Sequence, residues 1–194
     1  MGDPTASTTY PPATAGGTDC IQAAMTFELQ PILKNEILEA RPLRADDWDE
    51  LYAVASDPLL WEQHPNSDRY KPDVFRKFFD EALASGGAFV VLDRKTGRVI
   101  GSSRFACYAL VRSEVEIGWT FLARSHWGGV YNGELKRLML AHAFKYVENV
   151  MFFIGSTNIR SQRALEKIGG VRAGTKIDPN GRENFIYRIT RSAP

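Results

Sequence analysis

The sequence predicts an α/β protein, or α+β by a strict layer definition. We expect a mixed and mostly antiparallel central sheet of about seven strands with helices on both faces. Short apolar or alternating segments are interleaved with segments of helical periodicity, in the order β-α-α-β-β-β-α-β-α-β-β. Turn sequences such as Asp178-Pro179-Asn180-Gly181 separate these segments.

The length and composition of the chain fit one globular domain. The chain has 194 residues, of which 44% are hydrophobic and 24% are charged. Residues 1–24 are mainly small and polar, with Pro and Gly, so we expect a flexible tail there and a single domain over residues 25–194. Met25 is an alternative start of the chain.

Charge and residue content count against several classes of partner. A formal net charge of +1 gives no electrostatic reason to expect nucleic acid or an acidic membrane surface. No apolar run approaches the roughly 18 residues of a membrane span, and no secretory signal is evident, so we expect a cytoplasmic protein. Cys20 and Cys107 form no motif, and His126 and His142 have no partner at metal-ligand spacing. Neither a disulfide nor a metal site is therefore predicted, and His142 is expected in the core.

The first half of the domain predicts one strand, over residues 37–43, followed by two helices. Asp46 or Asp47 caps the first helix, and Asp57-Pro58 ends it. The second helix has a proline near its first turn and ends at Gly86-Gly87. Its inward face carries apolar residues at helical spacing, which are Val74, Phe75, Phe78, Phe79 and Leu83.

The second half predicts six strands and two helices. A hairpin turn at residues 93–98 joins the first two of these strands, and a long helix ends at about Val147. Asn158 caps the second helix, which ends at Gly169-Gly170. The predicted strands are Ala88–Leu92, Val99–Ala109, Val115–Leu122, Met151–Ile154, and residues 171–178 and 183–190.

A glycine-bearing turn before the long helix predicts an anion site. The segment from Trp127 to Arg137 follows a strand and opens the helix. Backbone N–H groups at a helix N-terminus lack partners, and the helix dipole adds roughly half a positive charge there. Gly128 and Gly129 let phosphate oxygens approach the backbone closely.

The order of elements, this turn, and the segment from Asn158 to Gly169 together resemble the GNAT N-acetyltransferase superfamily. The branch that the chain is most similar to is the ribosomal-protein N-acetyltransferase type, over roughly residues 36–190. The resemblance implies that the turn binds the pyrophosphate of acetyl-CoA, although Val130 stands where the family usually has a second small residue. It implies cofactor contacts from Trp119, Phe121, Trp127, Gly128, Gly129, Val130, Tyr131, Asn132, Asn158 and Ser161.

The helix after Asn158 offers two candidates for the cofactor thioester. Asn158 is either a plain helix N-cap or a contact for the pantetheine arm. The family often has a general-acid tyrosine further along this helix, where Leu165 stands here. The resemblance therefore implies that Ser161 donates a hydrogen bond to the leaving thiolate, whose reference pKa of about 8.5 makes it only weakly basic.

Glu116 is the candidate general base. Val115, Ile117, Trp119 and Phe121 are expected on one face of their strand, so Glu116 points to the other face. A carboxylate in a central strand is costly unless it is paired or functional. Related enzymes often have a glutamate here that deprotonates the amine through water. The alternative is a salt bridge to Arg104 on the neighbouring strand.

Two further groups of polar residues have both functional and structural readings. Lys136 and Arg137 either contact cofactor phosphates or form a solvated helix face. The loop around His64 is expected to shape the acceptor site, although each residue in it could also serve only the fold. Its aromatic and charged members are Trp61, Asp68, Arg69 and Tyr70.

These residues predict an acetyl-CoA-dependent N-acetyltransferase without a metal. A primary amine, on a small molecule or a protein N-terminus, would attack the thioester directly in a ternary complex, with strand amides polarising the carbonyl. The alternative is a non-catalytic acyl-CoA-binding sensor or regulatory module. A nucleotide-binding protein is disfavoured because neither a P-loop nor a dinucleotide fingerprint occurs. A monomer or a homodimer is expected.

Overall fold

The computed structural model describes residues 26–192, and the predictions about the 1–24 tail, Met25 and Cys20 lie outside this range. The described chain forms one sheet of eight strands and four α-helices. The strands are β1 (Leu33–Lys34), β2 (Leu38–Pro42), β3 (Ala88–Asp93), β4 (Val99–Ala109), β5 (Glu114–Leu122), β6 (Asn149–Gly155), β7 (Val171–Ile177) and β8 (Glu183–Thr190). The helices are α1 (Trp48–Ala55), α2 (Pro72–Ala84), α3 (Tyr131–Ala143) and α4 (Ile159–Glu166).

The predicted α/β fold class and the mostly antiparallel sheet are confirmed. The strand order is β1-β2-β3-β4-β5-β6-β8-β7, and only β5 and β6 pair in parallel. Their pairing stops at Glu116 and Met151, although both strands continue beyond that point. The two central strands therefore splay apart and leave a cleft between their carboxyl ends.

Each face of the sheet carries its own apolar core. One core packs α3 and α4 against the sheet through residues such as Met139 and Leu165. The other packs α1 and α2 through residues such as Leu51 and Phe75. His142 is buried at the first core, where its Nε2 lies 2.8 Å from the carbonyl oxygen of Glu28, as predicted for a core residue.

Four local predictions are wrong. Strand β1 is two residues long and gave no sequence signal, so the sheet has one strand more than expected. Helix α3 ends at Ala143 rather than near Val147, because turns follow it. The Asp47 carboxylate does not cap α1. It accepts from the Arg44 backbone N–H and pairs with the Arg41 guanidinium at 2.6 Å. The fourth error concerns β5 and is described with the site.

No helix within residues 26–192 is long and apolar enough to cross a membrane. Cys107 is a free thiol.

Candidate active site

A cavity of about 570 Å³ opens at the splay between β5 and β6. On one side lie residues of α3, of α4 and of the turn before α4, here called the helix wall: Asn132, Lys136, Asn158 and Ser161. On the other side lie residues of the connection between α1 and α2, here called the loop wall: Trp61, His64, Asn66 and Arg69. Glu116 of β5 lines the same cavity between the two walls.

A backbone irregularity in β5 changes which side chains face each wall. Trp119 has a φ of 52°, and the register with β4 shifts between Ser102 and Arg104. Val115 and Ile117 therefore pack in the α3 core, whereas Trp119 and Phe121 pack on the α1/α2 core. The predicted regular alternation along β5 is wrong beyond Gly118 because this bulge inverts it.

The glycine turn before α3 is open at the backbone. Gly128 has a φ of +70°, and a Cβ added at Gly128 or Gly129 would meet nothing within 4 Å. No side chain caps α3, and the backbone N–H groups of residues 128–132 have no acceptor within residues 26–192. Val130 has αR backbone angles and is 62% exposed, so its side chain does not cover these N–H groups. The turn therefore presents the unpaired donors that an anion requires.

The aromatic side chains of this turn have structural roles. The Trp127 indole donates to the Leu122 carbonyl at 2.8 Å, and the Arg160 guanidinium lies 3.8 Å from its ring centroid. The Tyr131 hydroxyl hydrogen-bonds Asp93. The polar atoms of both side chains are thus already engaged within the protein. Phe121 is buried among other aromatic rings and does not line the cavity.

The start of α4 matches its predicted cap. The Asn158 side chain accepts from the Ser161 backbone N–H at 3.2 Å, so its oxygen serves the helix while the residue also lines the cavity. Ser161 is half-buried in the cavity lining. Leu165 is buried in the α3 core and also lines the cavity.

Lys136 and Arg137, adjacent in sequence, have opposite environments. Arg137 is exposed and pairs with Glu134 at 2.8 Å, so it belongs to a solvated helix face. Lys136 is only 6% exposed, and its Nζ donates to Thr120 Oγ1 at 2.5 Å. Burial lowers its pKa to about 7. The prediction that Lys136 lies on a solvated helix face is thus wrong. Lys136 precedes the buried residues Met139, Leu140 and Ala143 by three, four and seven positions, and this helical spacing was the available signal for its burial.

Glu116 is half-buried and has no salt bridge to Arg104. Burial raises the pKa of its carboxyl, which the hydrogen bond with Cys107 and the charges of Lys176 and Arg104 partly offset. Gly118 leaves room for this carboxylate, since a Cβ there would lie 3.1 Å from Glu116 Oε1. Cys107 was not singled out from the sequence because its proximity to Glu116 depends on the pairing of β4 with β5. Gly118 was also missed, although it follows Glu116 by two residues on the same strand.

The loop wall brings His64 and Arg69 together. His64 Nδ1 accepts from the Asn66 backbone N–H at 2.9 Å, and its Nε2 lies 3.2 Å from Arg69 Nη1. Burial and then the Arg69 charge lower the pKa of His64 to about 3, so the ring is neutral. Asp68 and Tyr70 do not line the cavity. No cluster of three or more His, Cys, Asp or Glu within the described range is arranged to hold a metal ion.

Comparison with known proteins identifies the family of this chain. The sequence profile of the GNAT acetyltransferase domain matches residues 38–171. No curated protein sequence matches the chain significantly.

Solved structures show the same fold. A GNAT-family acetyltransferase from Bacillus anthracis is 22% identical with a TM-score of 0.69, over 82% of this chain and 98% of that one. A GCN5-related N-acetyltransferase from Brucella melitensis is 19% identical with a TM-score of 0.73, over 83% and 79%. RimJ from Mycobacterium smegmatis, in complex with CoA-disulfide, is 17% identical with a TM-score of 0.64, over 83% and 86%.

The open turn, the splayed strands and the family match lead to one assignment. The chain belongs to the GNAT acetyltransferases and is an N-acetyltransferase. Enzymes of this family use acetyl-CoA as the acetyl donor.

Proposed function

We propose that the protein transfers the acetyl group of acetyl-CoA to a primary amine by direct attack in a ternary complex. The observation that carries this proposal is the placement of Glu116 and Ser161 in one cavity at the splay of β5 and β6. The cofactor would lie along the helix wall, and the amine would enter from the loop wall. We propose no covalent enzyme intermediate.

The pyrophosphate would accept from the backbone N–H groups of residues 128–132. These donors point away from protein acceptors, and no side chain fills the space above Gly128 and Gly129. The N-terminus of α3 adds favourable dipole charge. Strand β5 beyond Glu116 has no β6 partner, so its backbone N–H groups on that side can polarise the thioester carbonyl.

The chemistry then needs one base and one hydrogen-bond donor. The Glu116 carboxylate takes a proton from the ammonium form of the acceptor, and the free amine attacks the carbonyl carbon. A C–N bond forms and the C–S bond breaks. The Ser161 hydroxyl donates to the departing sulfur, which ends as the CoA thiol once it gains the proton lost by the amide nitrogen. Burial of Glu116 raises its pKa and makes it a better base.

Replacing the base tests this assignment. Glu116→Gln is expected to lower kcat by about 100- to 1,000-fold, because general base catalysis contributes on that scale, with an unchanged KM for acetyl-CoA. Thiol release measured across pH should show kcat/KM rising as Glu116 loses its proton in the wild type, and no such rise in the variant. Glu114→Gln, at the start of the same strand, is the matched control. Full turnover with an unaltered pH profile in Glu116→Gln would remove Glu116 as the base.

A further inference from the structure

Two arginines at the loop wall form no ion pair with a carboxylate of the described chain. Arg69 belongs to the wall, and Arg104 lies behind it. The Arg69 guanidinium carbon lies 4.4 Å from the centroid of the Phe78 ring, and that of Arg104 lies 5.8 Å from the same ring. Arg104 also lies 4.5 Å from the Trp119 centroid and is only 7% exposed. Within residues 26–192 neither arginine forms an ion pair, and the buried Nε of Arg104 has no hydrogen-bond partner.

This arrangement concentrates positive charge in a desolvated place. Burial and, to a smaller extent, the charge of Arg104 lower the pKa of Arg69 to about 10, against the opposing charges of Glu81 and Asp68. Glu81 attracts both arginines but forms an ion pair with neither. A buried cation is costly unless an anion compensates it, so two that share one aromatic ring favour an anion between them and the cavity.

The hydrogen bonds of His64 point to the same conclusion. A neutral imidazole has one donor and one acceptor nitrogen. Because Nδ1 accepts from the rigid Asn66 backbone N–H, the proton resides on Nε2. The Nε2–H then faces Arg69 Nη1 at 3.2 Å, so two donors meet without an acceptor. One carboxylate oxygen to the side of this pair, at hydrogen-bond distance from both nitrogens, would accept from both.

The wall with these donors is separate from the cofactor turn. Arg69 and Arg104 lie against Phe78 of α2, on the side of the α1/α2 core. The turn at residues 128–132 opens α3, which packs on the other face of the sheet. Glu116 points to the face opposite Val115 and Ile117, so it lies on the arginine side.

We propose that the acceptor is a free amino acid, whose amine and carboxylate belong to one small molecule. The inference rests on the proposed function. The carboxylate accepts from the Arg69 guanidinium and from His64 Nε2–H, and Arg104 supports it electrostatically from beneath Trp119. A guanidinium fork matches the two oxygens of a carboxylate. The amine of the same molecule then points towards the Glu116 carboxylate, which attracts its ammonium form.

Matched acceptor pairs test the inference. Thiol release from acetyl-CoA is measured with a panel of free amino acids and with the corresponding α-carboxamides, which keep the amine and lose the negative charge. For acceptors that react, kcat/KM of the acid is expected to exceed that of the amide at least tenfold. Equal or faster reaction of the amides, or reaction of carboxylate-free amines alone, overturns the inference and leaves the acetyltransferase assignment intact. The proposed function fails separately if no primary amine, with or without a carboxylate, releases thiol from acetyl-CoA.

Substitution of Arg69 locates the effect. Arg69→Gln is expected to raise the KM of the acid at least tenfold, to abolish the preference for acid over amide, and to leave the KM of acetyl-CoA unchanged. Arg69→Lys keeps the charge and should retain part of the preference. Arg76→Gln is the control, because Arg76 also lies over aromatic rings but is 55% exposed. A raised KM for acetyl-CoA with an intact acid preference would assign Arg69 to the cofactor and contradict the inference. Thermal unfolding of each variant verifies its folding.

Discussion

The two walls of the cavity bury polar groups in different ways. On the helix wall the one buried charged side chain, Lys136, donates to Thr120, and Asn158 serves its own helix. On the loop wall, Arg69 lies on aromatic rings without a carboxylate partner, and a neutral His64 directs a donor at it. The buried charge of the helix wall is thus satisfied by the protein itself, whereas the Ser161 hydroxyl and the backbone N–H groups of the turn have no partner within residues 26–192.

This difference indicates which partner each wall receives. A wall whose buried charge is already satisfied suits the neutral pantetheine arm of a cofactor that every reaction shares. A wall with unpaired donors retains binding free energy for a ligand that brings the missing anion, and such donors reject analogues that lack it. Specificity is therefore expected to reside in the α1–α2 connection.

The Gly118→Ala substitution, on the strand between the two walls, is expected to have the largest effect. The new Cβ would lie 3.1 Å from Glu116 Oε1, so the carboxylate must move. The shift is only a few tenths of an ångström, and since a full misplacement of about 1 Å costs up to 100-fold in rate, kcat is expected to fall by a few-fold to about tenfold. Steady-state thiol release should show an unchanged KM for acetyl-CoA.

Gly174→Ala on β7 is the matched control for this substitution. A Cβ there would meet only Ile186 Cδ1, at an ordinary distance of 3.9 Å. Its kcat should equal that of the wild type. If Gly118→Ala also keeps the wild-type kcat, the position of Glu116 does not limit the reaction.

A smaller effect, on stability, is expected for Lys136→Met. Burial lowers the pKa of Lys136 from 10.5 to about 7, so between these values the unfolded chain binds more protons than the folded chain. Wild-type stability therefore rises with pH across this window. At pH values below the window, the full cost of burying the charged Lys136 is present. The variant should gain about 1–3 kcal/mol of unfolding free energy at pH 6, and the gain should shrink towards pH 10.

Denaturant unfolding at several pH values measures this gain. Ser103 and Thr120 keep each other as partners after the substitution, since their hydroxyl oxygens lie 2.7 Å apart. Arg137→Met, on the exposed face of the same helix, should leave stability nearly unchanged and without pH dependence between pH 6 and pH 10. A Lys136→Met variant that is less stable than the wild type at every pH would show that its hydrogen bonds outweigh its desolvation.

The sequence predicted those parts of the site that depend on local signals. Asn158 caps a helix by accepting from the backbone N–H of Ser161, three residues later. Gly128 marks a turn that needs a positive φ. Both signals lie within one short segment. The succession of strands and helices along the chain and the mostly antiparallel pairing were predicted in the same way, with only β1 missed.

The remaining features depend on contacts between distant segments. The bulge at Trp119 arises from the register of β5 with β4, so the alternation along β5 could not reveal it. Arg69 and Arg104 share the Phe78 ring only after α2 has packed over the sheet. An expected Glu116–Arg104 salt bridge was reasonable from strand neighbours, but Arg104 lies on Trp119 instead.

Amide hydrogen exchange with and without CoA tests the division between the two walls most directly. In the wild-type protein, saturating CoA is expected to slow exchange in peptides that contain residues 128–133 and 155–161. Exchange in peptides that contain residues 62–70 should stay unchanged, because the loop wall is assigned to the acceptor. Slower exchange confined to residues 62–70, with none at the turn before α3, would contradict the account.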